Sequence, residues 1–214
     1  MRAATFSGLA AGALGLALVP AARAHEEEKY EVKAGKIEMT NSMNKGQTST
    51  IYFDDFGAKR ATQTKMHAVM FGTTVDSEEW DIRPGDNTQI RYKPKEKSAT
   101  RAQLPPPRQA KPLTGKKAEQ AEKIAKQANV SEKALPAKTI AGKECAGKET
   151  NAFGVTLRVW SWKGIPFWKE SYLEGLDKPA TSVEQVTAFE EKAPPESVFK
   201  VPDDVKIKEQ PAMR

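Results

Sequence analysis

A single cysteine, Cys145, excludes an intramolecular disulfide and any thiolate-cluster metal site. Two histidines, His25 and His67, are too few for most histidine-based catalytic sets. Hydrophobic residues make up only 38% of the 214 positions, and aromatics 7%. Beyond the N-terminus, no apolar run approaches the roughly 20 residues of a membrane-spanning helix. A phosphate loop, a dinucleotide fingerprint, a serine nucleophile elbow and a zinc motif are all missing. No cofactor is therefore expected, and with no coherent acid–base–nucleophile set an enzyme ranks last among the readings. Carboxylate pairs such as Asp54/Asp55 and Asp203/Asp204 fall in turn sequences, where aspartate serves the backbone.

What is present begins with an export signal. Arg2 gives a positive start, an uncharged apolar stretch runs from Phe6 to Val19, and Pro20 breaks it. Ala22-Arg23-Ala24 is an A-x-A cleavage site, so residues 1–24 read as a secretory signal peptide. Its removal takes away Arg2 and Arg23 and lowers the formal net charge from +6 to +4. No cysteine follows the cleavage site, so acylation as a lipoprotein is not expected. The mature chain is expected to be periplasmic or secreted, and monomeric. Nucleic acid is a poor partner for such a protein despite the basic balance of 34 Lys and Arg against 28 Asp and Glu.

From Tyr30 to about Gln103, turn signals separate short strand-like runs. Lys45-Gly46, Asp54 to Gly57 and Arg83 to Asn87 are turns, and Thr48 to Phe53 is β-branched and aromatic. One apolar and one polar face per strand argues for an antiparallel meander. Residues 93–117 hold five prolines, many basic residues and no aromatics, and read as a basic, Pro-rich linker. Residues 117–129 are good helix formers, with Glu119/Lys123 and Glu122/Lys126 at i,i+4 spacing. Strands are expected to resume at Ala137. Phe153 to Trp162 is the strongest strand, with Val155, Leu157 and Val159 on one face and Trp160 and Trp162 on the other. Lys163-Gly164 is a tight turn, Ile165 to Ser171 its returning hairpin partner, and Ala180 to Phe189 another strand. Pro194 to Phe199 reads as one helical turn, and residues 208–214 as a frayed tail.

Several phrases carry a resemblance: Lys33 to Glu38, Ile51 to Gly57, Ile82 to Asp86, Ile140 to Cys145, Val159 to Pro166, Ala180 to Glu184 and Ser197 to Pro202. Together they resemble an uncharacterised family of exported bacterial proteins similar to the lipoprotein carriers LolA and LolB and to LppX. The resemblance spans most of residues 30–207, within one expected domain over 25–207. It implies a mainly β (α+β) fold: a strongly curved antiparallel half-barrel with one or two helices on its concave side. In the carriers that concavity holds acyl chains. No carrier site residue matches a position in this chain.

On that basis Trp160, Trp162, Ile165, Phe167 and Trp168 form a candidate apolar wall for a lipid, a lipoprotein acyl chain or another amphiphile. The alternative is that the indoles pack as core. Arg101, Arg108, Lys111, Lys116 and Lys117 are candidates for transient membrane or headgroup contact; a solvated loop is the plainer reading. His25 heads the mature chain and, with His67 and nearby methionines, offers a copper-ligand alternative. Cys145 reads as a small buried residue. The leading expectation is non-covalent lipid binding in a carrier or envelope-maintenance role. The alternative is an envelope sensor or interaction protein that binds a polypeptide partner.

Overall fold

The computed structural model describes residues 30–44, 46–70, 73–105, 114–116, 118–120, 123, 128, 130–173 and 182–211. The signal peptide, His25, Arg108, Lys111 and Lys117 lie outside the described residues. So does most of the expected helix, of which residues 118–120 and 123 are helical, as is 116 just before it. No described helix is long and apolar enough to cross a membrane.

The strands are β1 (Gly35–Asn41), β2 (Gln47–Asp54), β3 (Lys59–Met70), β4 (Thr73–Arg83), β5 (Thr88–Lys93) and β6 (Ser98–Gln103). After the linker come β7 (Ser131–Ile140), β8 (Lys143–Ala152), β9 (Val155–Trp162), β10 (Ile165–Leu173), β11 (Ser182–Glu190) and β12 (Lys206–Glu209). They form one open, curled sheet of order β12-β6-β5-β4-β3-β2-β1-β11-β10-β9-β8-β7. The expected meander is thus two meanders, β1–β6 and β7–β11, joined where β1 pairs with β11. Three hairpins of the second meander turn on Ala141-Gly142, Phe153-Gly154 and Lys163-Gly164, with positive φ at both residues of each turn. Paired left-handed residues match the right-handed strand twist and close two-residue hairpins.

Two apolar clusters hold the sheet. The first gathers Ile37, Phe53, Ile140, Cys145, Trp160, Ile165, Phe167 and Val186 from β1, β2 and β7–β11. Tyr30 and Val32, ahead of β1, complete it. Tyr30 donates its N–H to the Phe56 carbonyl, and its ring meets Phe53 edge-on at 4.8 Å. The second cluster joins Ala61, Ile82, Ile90 and Ala99 of β3–β6 to Phe199 and Val205. Phe199 sits on the expected helical turn, a 3-10 turn over Glu196–Phe199, which Lys59 anchors through Glu196 at 2.8 Å. The chain crosses from β11 to the far edge of the sheet and pairs β12 parallel to β6. A parallel pair requires such a crossover.

Three boundaries differ from the sequence expectations. The stretch 93–117 includes β6, whose buried residues Ala99 and Ala102 are too small to announce a core strand. β7 begins at Ser131, six residues before Ala137, and contains Pro136, which is tolerated because β7 is an edge strand and its register shifts there. Lys208 and Glu209 are paired in β12, with Arg101 Nη1 reaching Glu209 at 3.3 Å.

Candidate functional site

The five aromatic and aliphatic residues singled out on β9 and β10 converge on one side of the sheet. A bulge in β10 between Pro166 and Trp168 is the local cause. Trp162 lies opposite Ile165, Ser161 opposite Pro166, and Trp160 opposite Trp168, leaving Phe167 as the extra residue. A bulge sets two residues against one, so Phe167 and Trp168 both join the Trp160 side. Phe167 and Trp162 meet at 5.9 Å, and Phe189 of β11 completes a triad at 5.6 and 5.3 Å from them.

This face is filled by the protein's own chain. Ile165 and Phe167 are 0 and 1% exposed, and Trp160 is 4% exposed; Trp162 and Trp168 are half-buried. The Trp160 indole lies across β8 and donates its Nε1–H to the Pro136 carbonyl of β7 at 3.0 Å. That reach depends on Gly147 of β8, which pairs with Trp160. A Cβ at position 147 would stand 2.5 Å from Trp160 Nε1 and 2.8 Å from the Leu135 Cβ. Glycine is required there by close approach rather than by backbone conformation. The opposite face of β9 is the more open one: Val155 is exposed and Leu157 and Val159 are only half-buried. The indoles, not the aliphatic residues, make the core contact.

Lysines cap the rings. Lys138 Nζ lies 3.5 Å from the Trp160 ring centre and 5.3 Å from that of Trp168. Lys143 Nζ lies over Trp162 at 4.6 Å and Phe189 at 5.6 Å, and Lys163 Nζ over Trp162 at 4.8 Å. Such contacts contribute about 0.5–1 kcal/mol each at exposed sites. The three lysines were not legible as a group. They come together only through the β7–β8–β9 register, in which Lys138 faces Cys145.

Farther along the strands the same face turns polar. Arg158 Nε donates to Glu149 at 2.7 Å, and Asn151 Nδ2 reaches Glu149 Oε1 at 3.5 Å. Trp168 Nε1 and the Tyr172 hydroxyl each donate to Glu170 at 2.7 Å. The Arg158 hydrogen bond holds the Glu149 carboxyl below the usual glutamate range against the opposing effect of burial. The Glu170 hydrogen bond raises the Tyr172 phenol, with burial adding to it. Burial also pushes the Cys145 thiol up, and its sulfur is fully enclosed.

The remaining candidates are dispersed. Arg101 lies on β6, paired with Glu209, and Lys116 is exposed at the start of the helical residues. His67 on β3 is largely exposed and bonded to Asp76 across the β3–β4 pair at 2.7 Å. No group of three His, Cys, Asp or Glu side chains suited to a metal occurs among the described residues. A hollow of about 400 Å³ beside the β1–β2 turn is lined mainly by Thr, Ser, Asn and Gln side chains, among them Thr40, Ser42 and Gln185.

An uncharacterised conserved protein of Thermus thermophilus is similar over 86% of this chain and 94% of its own, at 8% identity and a TM-score of 0.52. The MucA/MucB complex of Pseudomonas aeruginosa offers a second similar chain, over 85% of this one, at 11% identity and a TM-score of 0.50. The likeness is one of fold alone. It supports a distant LolA-like fold and has no counterpart in sequence. This chain spans 60% of the matched chain of the complex. No family model matches the chain, and no curated protein matches it.

Proposed function

We propose that this is an exported envelope protein that binds a polypeptide partner, with its sheet curved as a LolA-like half-barrel. The observation that carries this reading is the filled aromatic face. Trp160 lies over Gly147 of β8 and is hydrogen-bonded to Pro136 of β7, so the residues that would wall an acyl chain are already in contact with one another. Burying a lipid there would have to displace packing the protein already makes, including the indole hydrogen bond to Pro136 and the contacts of Leu135 with the core. The fold likeness adds support, because the complex of MucB with MucA joins a chain of similar fold to another polypeptide. Exposed Phe153, Val155 and Leu173 gather at the end of β8–β10 away from the Lys163 turn. Contiguous exposed apolar side chains are a feature of interaction surfaces. The role is one of recognition, with no reaction assigned to any residue.

Native mass spectrometry of the processed protein, purified from its own envelope without detergent, tests the reading. A complex with a stoichiometric polypeptide is the expected result. A retained lipid that leaves on organic extraction, with no polypeptide, would restore the carrier reading. The same spectrum reports the mature N-terminus, for which cleavage after Ala24 is expected.

A further inference from the structure

Lys138, Lys143 and Lys163 share one sheet face and one end of it, near the Lys163-Gly164 turn. Each ammonium lies over an aromatic ring, and no carboxylate of the described residues comes within ion-pair distance of any of the three. Two acidic groups of that face are engaged at its other end: Glu149 by Arg158 and Asn151, Glu170 by Trp168 and Tyr172. Glu31, whose N–H donates to the Lys163 carbonyl at 3.1 Å, is exposed beside the turn and makes no ion pair with the three lysines among the described residues. Charge on the face is therefore segregated, compensated at one end and positive at the other. A ring beneath an ammonium leaves its charge intact and its outward N–H donors unused. Lys138 and Lys163 are exposed, so these donors face solvent.

Resting on the polypeptide-binding reading above, we propose that this lysine-capped tryptophan face docks an acidic, extended segment of the partner. The three lysines stand on β7, on β8 and on the β9–β10 turn. Neighbouring strands lie about 4.8 Å apart, so the positive groups spread over roughly 10 Å. Carboxylates at alternate positions of one extended chain cover that span, whereas a single headgroup phosphate covers one position of it. Beneath the ammonium groups the rings are packed against the core, which leaves charge rather than an apolar pocket as the feature on offer.

The test is a titration of the processed, full mature protein with an oligoglutamate peptide, read by tryptophan fluorescence, with oligoglutamine as the control. Saturable binding of oligoglutamate alone, weakened by salt, is expected. The pair Lys138→Gln with Lys163→Asn should weaken it by roughly tenfold, the scale of losing two exposed ion pairs. Asparagine is chosen at 163 because that residue has a φ of 48°. Lys138→Arg with Lys163→Arg should restore binding, and Lys206→Gln with Lys208→Gln on β12 should leave it unchanged.

Equal affinity in the Gln/Asn pair, or equal response to oligoglutamine, overturns the proposal. So does stronger lysine-dependent binding to vesicles of anionic phospholipid than to oligoglutamate. The chain carries its own acidic run, Glu26 to Glu28, ahead of Tyr30. A protein that responds to oligoglutamate only after all three become Gln assigns the face to that run and overturns the partner assignment. A stoichiometric partner retained by the Gln/Asn pair sinks the docking site but leaves the polypeptide-binding reading standing. A lipid in place of any polypeptide sinks the latter, while the titration still decides the site.

Discussion

Gly147→Ala isolates the contact that closes the aromatic face, because two opposing effects can be set against each other. Gly147 has no left-handed φ, so alanine is conformationally acceptable there. At such a position alanine ordinarily stabilises by about 0.4–1 kcal/mol, by restricting the unfolded chain. Against this, the new methyl would lie 2.5 Å from Trp160 Nε1 and 2.8 Å from the Leu135 Cβ. Neither neighbour is the free end of a flexible chain. The indole is hydrogen-bonded to Pro136, and the Leu135 Cβ is fixed to the β7 backbone. Forcing a methyl into packed surroundings costs about 1–3 kcal/mol. Displacing the indole forfeits a hydrogen bond worth about 0.5–1.5 kcal/mol net. The balance is a loss of about 1–3 kcal/mol. Urea unfolding followed by circular dichroism measures it. Gly142→Ala is the control, since a methyl there meets nothing within 4 Å and bears only the cost of a φ of +74°. Combining Gly147→Ala with Trp160→Phe should cost less than the sum of the two, because phenylalanine lacks the crowded nitrogen. A Gly147→Ala protein as stable as the parent, or more so, would refute the close packing of Trp160 and Leu135 over Gly147.

Phe199→Ala should destabilise the protein by about 3–5 kcal/mol, the range for deleting a buried aromatic, because Phe199 belongs to the same buried cluster as Ala61, Ile82 and Ile90; calorimetry reads the fall in melting temperature. The Glu149 carboxyl is held below its ordinary range in the folded state, so its contribution is present at neutral pH and drains away in acid as pH falls through the lowered value. Glu149→Gln should therefore be less stable than the parent at neutral pH, with the two urea midpoints converging in acid. Cys145 is enclosed and its thiol raised, so alkylation of the native protein should be negligible at mildly alkaline pH and complete in denaturant; fast native labelling would contradict the burial.

The β9–β10 hairpin was legible because three local signals agree: alternation over Val155 to Trp162, Lys163-Gly164 at a turn that needs two left-handed residues, and an apolar return strand. That Trp160 and Trp162 share a face also followed from period two. What covers that face did not. It depends on a glycine on β8, a proline carbonyl on β7 and a bulge at Phe167, and each of these is set by pairing between strands rather than by local pattern. β7 was obscured for the same reason, since Pro136 in a short polar run argues against a strand unless the strand is known to be an edge. The parallel pairing of β12 with β6 is a non-local event that residues 206–209, all exposed, do not announce. The lysines over the rings lie on β7, β8 and a turn, too far apart in sequence to be read as a cluster.

Exchange of the tryptophan indole protons, followed by nuclear magnetic resonance with and without a long-chain fatty acid, tests the closed aromatic face most directly. The Trp160 Nε1–H, buried and bonded to Pro136, should exchange far more slowly than that of half-buried Trp162, and its resonance should not move on adding the fatty acid. Fast exchange at Trp160, or a saturable shift of its resonance by the fatty acid, would mean that the aromatic face opens to admit an acyl chain and would contradict the account.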